Sequence, residues 1–138
     1  MKIAPKTFLE GPLGARRYAF ILDEANHFNS KNRSNTPASC LYSPAHENTE
    51  GCAIGRWLPP DLQRKLDITG NVLDLRAFNS LPEWMIDLGR DFLYECQVLH
   101  DTLNCWCETG LSVDGERKFN EIVNKYVNKY AKRTIQTT

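Results

Sequence analysis

Apolar residues recur at helical spacing over most of this chain. Tyr18, Ile21, Leu22, Ala25 and Phe28 fall at i, i+3, i+4, i+7 and i+10, which predicts a helix from Gly14 with these side chains inward. Leu81, Trp84, Met85, Leu88, Phe92, Cys96, Leu99 and Leu103 repeat the pattern behind Ser80 and Glu83, a capping-box pair. Gly89 interrupts it, so one helix is expected to Asp87 and a longer one from about Gly89 to Leu103. Phe119, Ile122, Val123, Tyr126, Val127, Tyr130 and Ala131 mark a last amphipathic helix, capped by Ser112 or Asp114. Pro59-Pro60 open a short helix over Asp61 to Asp67, and Thr69-Gly70-Asn71 close it. Thr7–Glu10 and residues 72–79 fit either a short strand or a turn of helix.

Between Ser39 and Leu58 the pattern changes. Two short apolar runs, Ser39–Ser43 and Gly51–Leu58, flank the turn-rich segment Pro44–Glu50. That predicts a β-hairpin on which the helices pack. Cys40 leads the first arm. In the second, Cys52 and Ile54 share a buried face by period-two alternation. Gly51 and Gly55 are expected where a side chain would crowd the backbone. The fold class is therefore α+β: a small antiparallel hairpin or three-stranded sheet packed by four to five helices. It is read as one domain over residues 1–138. A mobile loop is expected near 29–38, where Asn29 to Pro37 is polar, and a frayed end at 134–138.

The chain has 138 residues, enough for one domain with a true core. At 41% hydrophobic and 25% charged, its composition excludes the disordered and collagenous classes. No apolar run suits a membrane span, and Met1–Lys6 opens no signal-peptide core, which predicts a cytoplasmic protein with no membrane partner. Five cysteines, an odd number, read as reduced thiols. The net charge is zero but unevenly spread. Residues 1–40 sum to +3, 41–115 to −7 and 116–138 to +4. In the acidic centre Glu83, Asp87, Asp91 and Glu95 follow at intervals of four, one stripe along a continuous helix. That row is the expected partner face, unless Lys118, Lys125 and Lys129 neutralise it from within.

Three chemistries can be weighed on these residues. Zinc would need thiolate and imidazole ligands, and Cys40, Cys52, His100 and Cys105 are the candidates, with His46 and Cys107 as further donors. The spacings match no zinc knuckle, and the plainer expectation is buried thiols and no metal or other cofactor. His100-Asp101 on a helix suggests a metal-dependent phosphohydrolase. Against it stands a packed His100 whose ring bonds a backbone group or a carboxylate. A Cys–His nucleophile pair, Cys52 with His100 or Cys105, is permitted by residue type alone. Lys125, Lys129, Lys132 and Arg133 form a basic edge, but direct nucleic-acid binding is not expected at zero net charge.

The Cys40–Tyr42 strand, Gly51-Cys52-Ala53-Ile54-Gly55-Arg56, the helix with Leu93, Gln97, His100 and Asp101, and Trp106 together resemble a group of small uncharacterised bacteriophage and prophage proteins. The resemblance spans about residues 38–112. It implies a phage or mobile-element setting inside a bacterial cell, and no mechanism. The function expected is that of a non-enzymatic binding protein that contacts a host protein, such as an inhibitor of a bacterial defence system of the anti-CRISPR kind. The alternative is a binder that sequesters a small nucleotide signal.

Overall fold

Helix α2, Leu13–His27, is the element against which most others pack. A computed structural model of the chain describes residues 3–32 and 52–128. The inward stripe of α2 carries Gly14, Arg17, Phe20, Ile21 and Glu24, with Phe28 at its end. The apolar spacing places Tyr18 inward, yet Tyr18 is exposed and two charged residues are buried instead. The stripe is turned towards Arg17 and Glu24 because both find partners on distant elements, so the face need not be wholly apolar.

Around α2 lie α1 (Lys6–Leu9), α5 (Glu83–Leu88), α6 (Arg90–Asp101) and α7 (Val113–Val123). Phe8 of α1 joins Phe20, Trp57 and Trp84 at ring-centroid distances of 5.4, 5.1 and 5.8 Å. Tilted and edge-on aromatic pairs of this kind add about 0.5–1.5 kcal/mol beyond their buried area. Phe92, Met85, Leu88, Leu93 and Leu99 complete the core.

The class is α+β with one antiparallel hairpin, but the hairpin is not where the sequence pattern puts it, and seven α-helices rather than four or five are found among the described residues. Strand β1 (Trp106–Cys107) pairs with β2 (Gly110–Leu111), Trp106 opposite Leu111 and Cys107 opposite Gly110. Gly110 has φ +134°, which a side chain would resist. The expected second arm, Gly51–Leu58, is no strand from Cys52 onward. Gly55–Trp57 forms a 3-10 turn, closed by Leu58 N–H donating to Gly55 O at 2.9 Å. Gln63 also donates to that carbonyl, at 2.7 Å. A turn rather than a strand lets Arg56 and Trp57 both bury. Cys52 and Ile54 are buried as expected, but so is Ala53 between them, which alternation does not produce. Cys40, Gly51 and the first arm lie outside the described residues. The role of platform falls to α2.

The helix punctuation is largely as expected. Helix α3 spans Pro60–Thr69, with proline at its start and Gly70 at its end. Residues 72–79 resolve as helix α4, Leu75–Asn79, capped by Asp74 accepting from Arg76 N–H. Gly89, φ +98°, separates α5 from α6. The capping box is absent: Ser80 Oγ donates back to Arg76 O, and Pro82 stands at the start of α5 without a side-chain cap. Helix α6 stops at Asp101, and Leu103 is exposed in a 3-10 turn. Ser112 caps α7, accepting from Gly115 N–H at 3.1 Å, and a π-helical turn, Asn124–Asn128, follows. Residues 29–32 of the expected loop form a bonded turn, with Asn29 N–H donating to Asn32 Oδ1 and Ser30 N–H to Cys107 O. The remainder of that loop and residues 134–138 lie outside the described part. Among the described residues, no helix is long and apolar enough to cross a membrane.

Candidate functional site

The interior beside α2 holds charged groups that the apolar pattern conceals. His100 Nδ1 lies 2.7 Å from Glu24 Oε1, both side chains buried. Phe28 meets the imidazole edge-on at 4.6 Å, and Trp106 Nε1–H donates to Leu99 O at 2.8 Å beside it. Cys96, on the buried face of α6, has its thiol pushed well up by burial, then by the Glu24 and Glu95 charges. A thiol kept protonated in this way is a poor nucleophile or metal ligand.

Arg56 is buried as well. Its Nη2 bonds Asp23 Oδ1, and its guanidinium lies 4.5 Å from the Trp57 ring and 5.0 Å from the Phe28 ring. Burial brings its pKa down to about 10. The aromatic faces offset part of that desolvation by attracting the cation.

These contacts turn His100 and Asp101 to different surroundings. His100 faces inward to Glu24, the carboxylate-bonded packing that competed with the catalytic reading. Asp101 is exposed and accepts from Gln97 Nε2 at 3.2 Å. Among the described residues no group of three or more His, Cys, Asp and Glu could hold a metal ion. Cys52 and Cys105 are buried, and Cys52 Sγ accepts from Gly55 N–H. Cys40 and His46 lie outside the described residues.

The acidic row is also rearranged. Glu83 and Asp87 sit on α5, Asp91 and Glu95 on α6. The break at Gly89 removes the continuous helix that a stripe requires. Glu95 is half-buried and paired with Lys118 Nζ at 3.4 Å, the internal neutralisation posed for one of the four. Glu83, Asp87 and Asp91 are exposed.

The same break opens a cleft of about 360 Å³. Arg17 of α2, Arg90 and Asp91 of α6, and Lys125 of the π turn line it, with the rings of Phe92 and Tyr126. Arg17 is only 8% exposed. Its Nε donates to Leu88 O at 2.8 Å and its Nη1 to Tyr126 O at 3.3 Å, which fixes the guanidinium. The Arg17 Cζ lies 5.5 Å from both the Phe92 and the Tyr126 ring. Lys125 Nζ lies 5.3 Å from the Tyr126 ring. A Cβ at Gly89 would come within 2.7 Å of Arg17 Nη2, so glycine permits this approach. The first turn of α6 adds N–H groups that have no partner within the helix, and the positive end of its dipole. Among the described residues, three cations thus face one carboxylate in a recess that suits a small anion. Sequence reasoning placed Lys125 on a basic edge and missed Arg17. The available signal was Arg17 at helical spacing with Phe20 and Ile21.

No known protein family, curated protein or solved structure matches this chain.

Proposed function

We propose that this protein is a non-enzymatic binding protein that holds a small phosphorylated ligand, a nucleotide signal, in the cleft of Arg17, Arg90 and Lys125. The observation that carries this reading is the convergence of three cations and two aromatic rings on one recess, with Arg17 already fixed by backbone carbonyls. Phosphate oxygens suit guanidinium groups and a helix N-terminus. A base can stack on an aromatic ring at the rim. Binding to a pre-positioned guanidinium loses less side-chain entropy than ordering a free one.

The test is calorimetric titration with nucleoside phosphates, cyclic dinucleotides and inorganic phosphate, beside mass spectrometry of the purified protein. At least one nucleotide should bind or be retained. Arg90→Ser and Lys125→Ser should each weaken it tenfold or more, about 1.4 kcal/mol. No nucleotide retained, and no heat at millimolar ligand, would remove this reading.

A phage-borne inhibitor that contacts a host defence protein is the second reading. The exposure of Glu83, Asp87 and Asp91 favours it. It is weakened by the split at Gly89 and by the Lys118 pairing of Glu95. A host protein that co-purifies with the chain, and is lost on changing Glu83, Asp87 and Asp91 to amides, would establish it.

A further inference from the structure

The cleft of Arg17, Arg90 and Lys125 also carries an acid, Asp91. Asp91 is exposed in the first turn of α6, next to Arg90. Among the described residues it forms no ion pair with Arg90 or Lys125, although all three line the same recess. We infer, on the reading of this cleft as a nucleotide site, that its ligand is a single ribonucleoside 5′-phosphate and that Asp91 selects it by accepting from the ribose hydroxyls.

The build of the cleft supplies the first reason. Ligand pockets run from about 300 to 1,000 Å³, and this one, at about 360 Å³, is at the small end. One nucleotide suits it better than two joined together. Its cationic wall is fixed from both sides. Leu88 O and Tyr126 O accept from Arg17 at 2.8 and 3.3 Å. Lys125 and Tyr126 stand on the π turn Asn124–Asn128, a local distortion of the kind found at functional sites. The phosphate end of a ligand therefore has a defined place, between Arg17, Arg90 and Lys125.

The chemistry of Asp91 supplies the second reason. An ionised carboxylate only accepts hydrogen bonds. Asp91 therefore repels the phosphate that the three cations attract, and the part of the ligand beside it must donate. In a nucleoside phosphate the ribose hydroxyls are the donors nearest the phosphate, and the base amino groups lie beyond them. A carboxylate holds ribose hydroxyls in this way in dinucleotide sites. Two adjacent hydroxyls can donate to one carboxylate, and both are free only when the phosphate is on the 5′ carbon. An acid in the first turn also favours α6 itself, through the helix dipole. That effect does not tell one sugar from another, so experiment can separate the two roles.

The decisive experiment titrates the full chain by calorimetry with the four ribonucleoside 5′-phosphates, their 2′-deoxy counterparts, cyclic di-GMP and inorganic phosphate. At least one ribonucleotide should bind, and its deoxy counterpart should bind tenfold or more weakly. Asp91→Ala should bring the ribonucleotide down to the deoxy level. Inorganic phosphate should then bind no more weakly than to the wild type, because a repelling charge is gone. Arg90→Ser should weaken both sugars and keep their ratio. Equal affinity for the two sugars, or a ratio that Asp91→Ala leaves unchanged, would overturn the inference while the nucleotide reading stands. So would tighter binding of cyclic di-GMP than of any mononucleotide. An Asp91→Ala variant that loses both sugars and phosphate alike would assign Asp91 to the helix and overturn it too. No binding of any nucleotide at millimolar concentration would remove the nucleotide reading and this inference together.

Discussion

Glu24 Oε1 and His100 Nδ1 meet at 2.7 Å across 76 residues of sequence, and neither side chain reaches solvent. The contact ties α2 to α6 through the core. Replacing Glu24 by Leu leaves the imidazole facing an apolar group, and the reverse change strands the carboxylate. Each single change should destabilise by about 3 kcal/mol, the scale for stranding a buried polar partner. Glu24→Leu with His100→Leu should cost clearly less than the two singles together, because neither partner is then stranded. Urea melts of the four proteins measure the coupling. Additive losses would mean that the contact contributes nothing of its own.

Arg56 and Asp23 differ in exposure, and their variants should differ accordingly. The Arg56 side chain is 2% exposed and that of Asp23 is 37% exposed. Arg56→Leu leaves an aspartate that water can reach. Asp23→Ala leaves a guanidinium that water reaches poorly. Asp23→Ala should therefore be the more damaging, at about 3 kcal/mol. The same burial gives Arg56 a sign in alkali. Its folded pKa of about 10 lies below the usual value, so the unfolded chain holds the proton more tightly. The unfavourable contribution of the buried charge is complete below pH 10 and diminishes as pH rises through it. Arg56→Leu should lack that alkaline increment when melts are compared across this range.

Gly115 lies in the first turn of α7, where helix propensity alone favours alanine by about 1 kcal/mol. A Cβ there would fall 2.0 Å from Cys105 O, a backbone atom that cannot move aside alone. Gly115→Ala should destabilise, by about 1–3 kcal/mol as over-packing does. A thermal melt that rises on this substitution would show that the 3-10 turn yields without loss.

Ile54 is fully buried. Ile54→Ala should cost about 2–5 kcal/mol, as buried Ile truncations do. A loss below about half a kcal/mol would put the 52–58 segment outside the core.

Cys107 should be the first of the described cysteines to alkylate. It is exposed, and its thiol pKa is lowered chiefly by the hydrogen bond from the Thr109 hydroxyl, then by backbone N–H groups of the hairpin turn. Cys52, Cys96 and Cys105 are buried. Lowering the pKa raises the thiolate fraction near neutral pH. Thr109→Val should shift the alkylation-rate profile of Cys107 to higher pH. A profile that does not move would assign the shift to the backbone.

What the sequence determined by itself was local. Pro60 at the start of α3, Gly89 between α5 and α6, and Ser112 before α7 act through their own backbone or the next turn, so each was legible without knowing a neighbour. The burial of Cys52, Ile54, Leu88 and Phe92 was legible for a related reason, since apolar side chains leave water wherever the chain folds. The placement of the β-hairpin was not. Its two-residue strands are too short to show alternation, while the longer apolar run at 51–58 turned instead, so that Arg56 and Trp57 could both bury. Arg17 and Glu24 were unreadable as interior residues. A charge is buried only where a partner waits, and theirs, Leu88 O, Tyr126 O and His100, arrive from 71, 109 and 76 residues away. The cleft of Arg17, Arg90 and Lys125 belongs to the same category. It joins residues from elements that only tertiary packing brings together, because a recess is a property of the space between elements and of no single element.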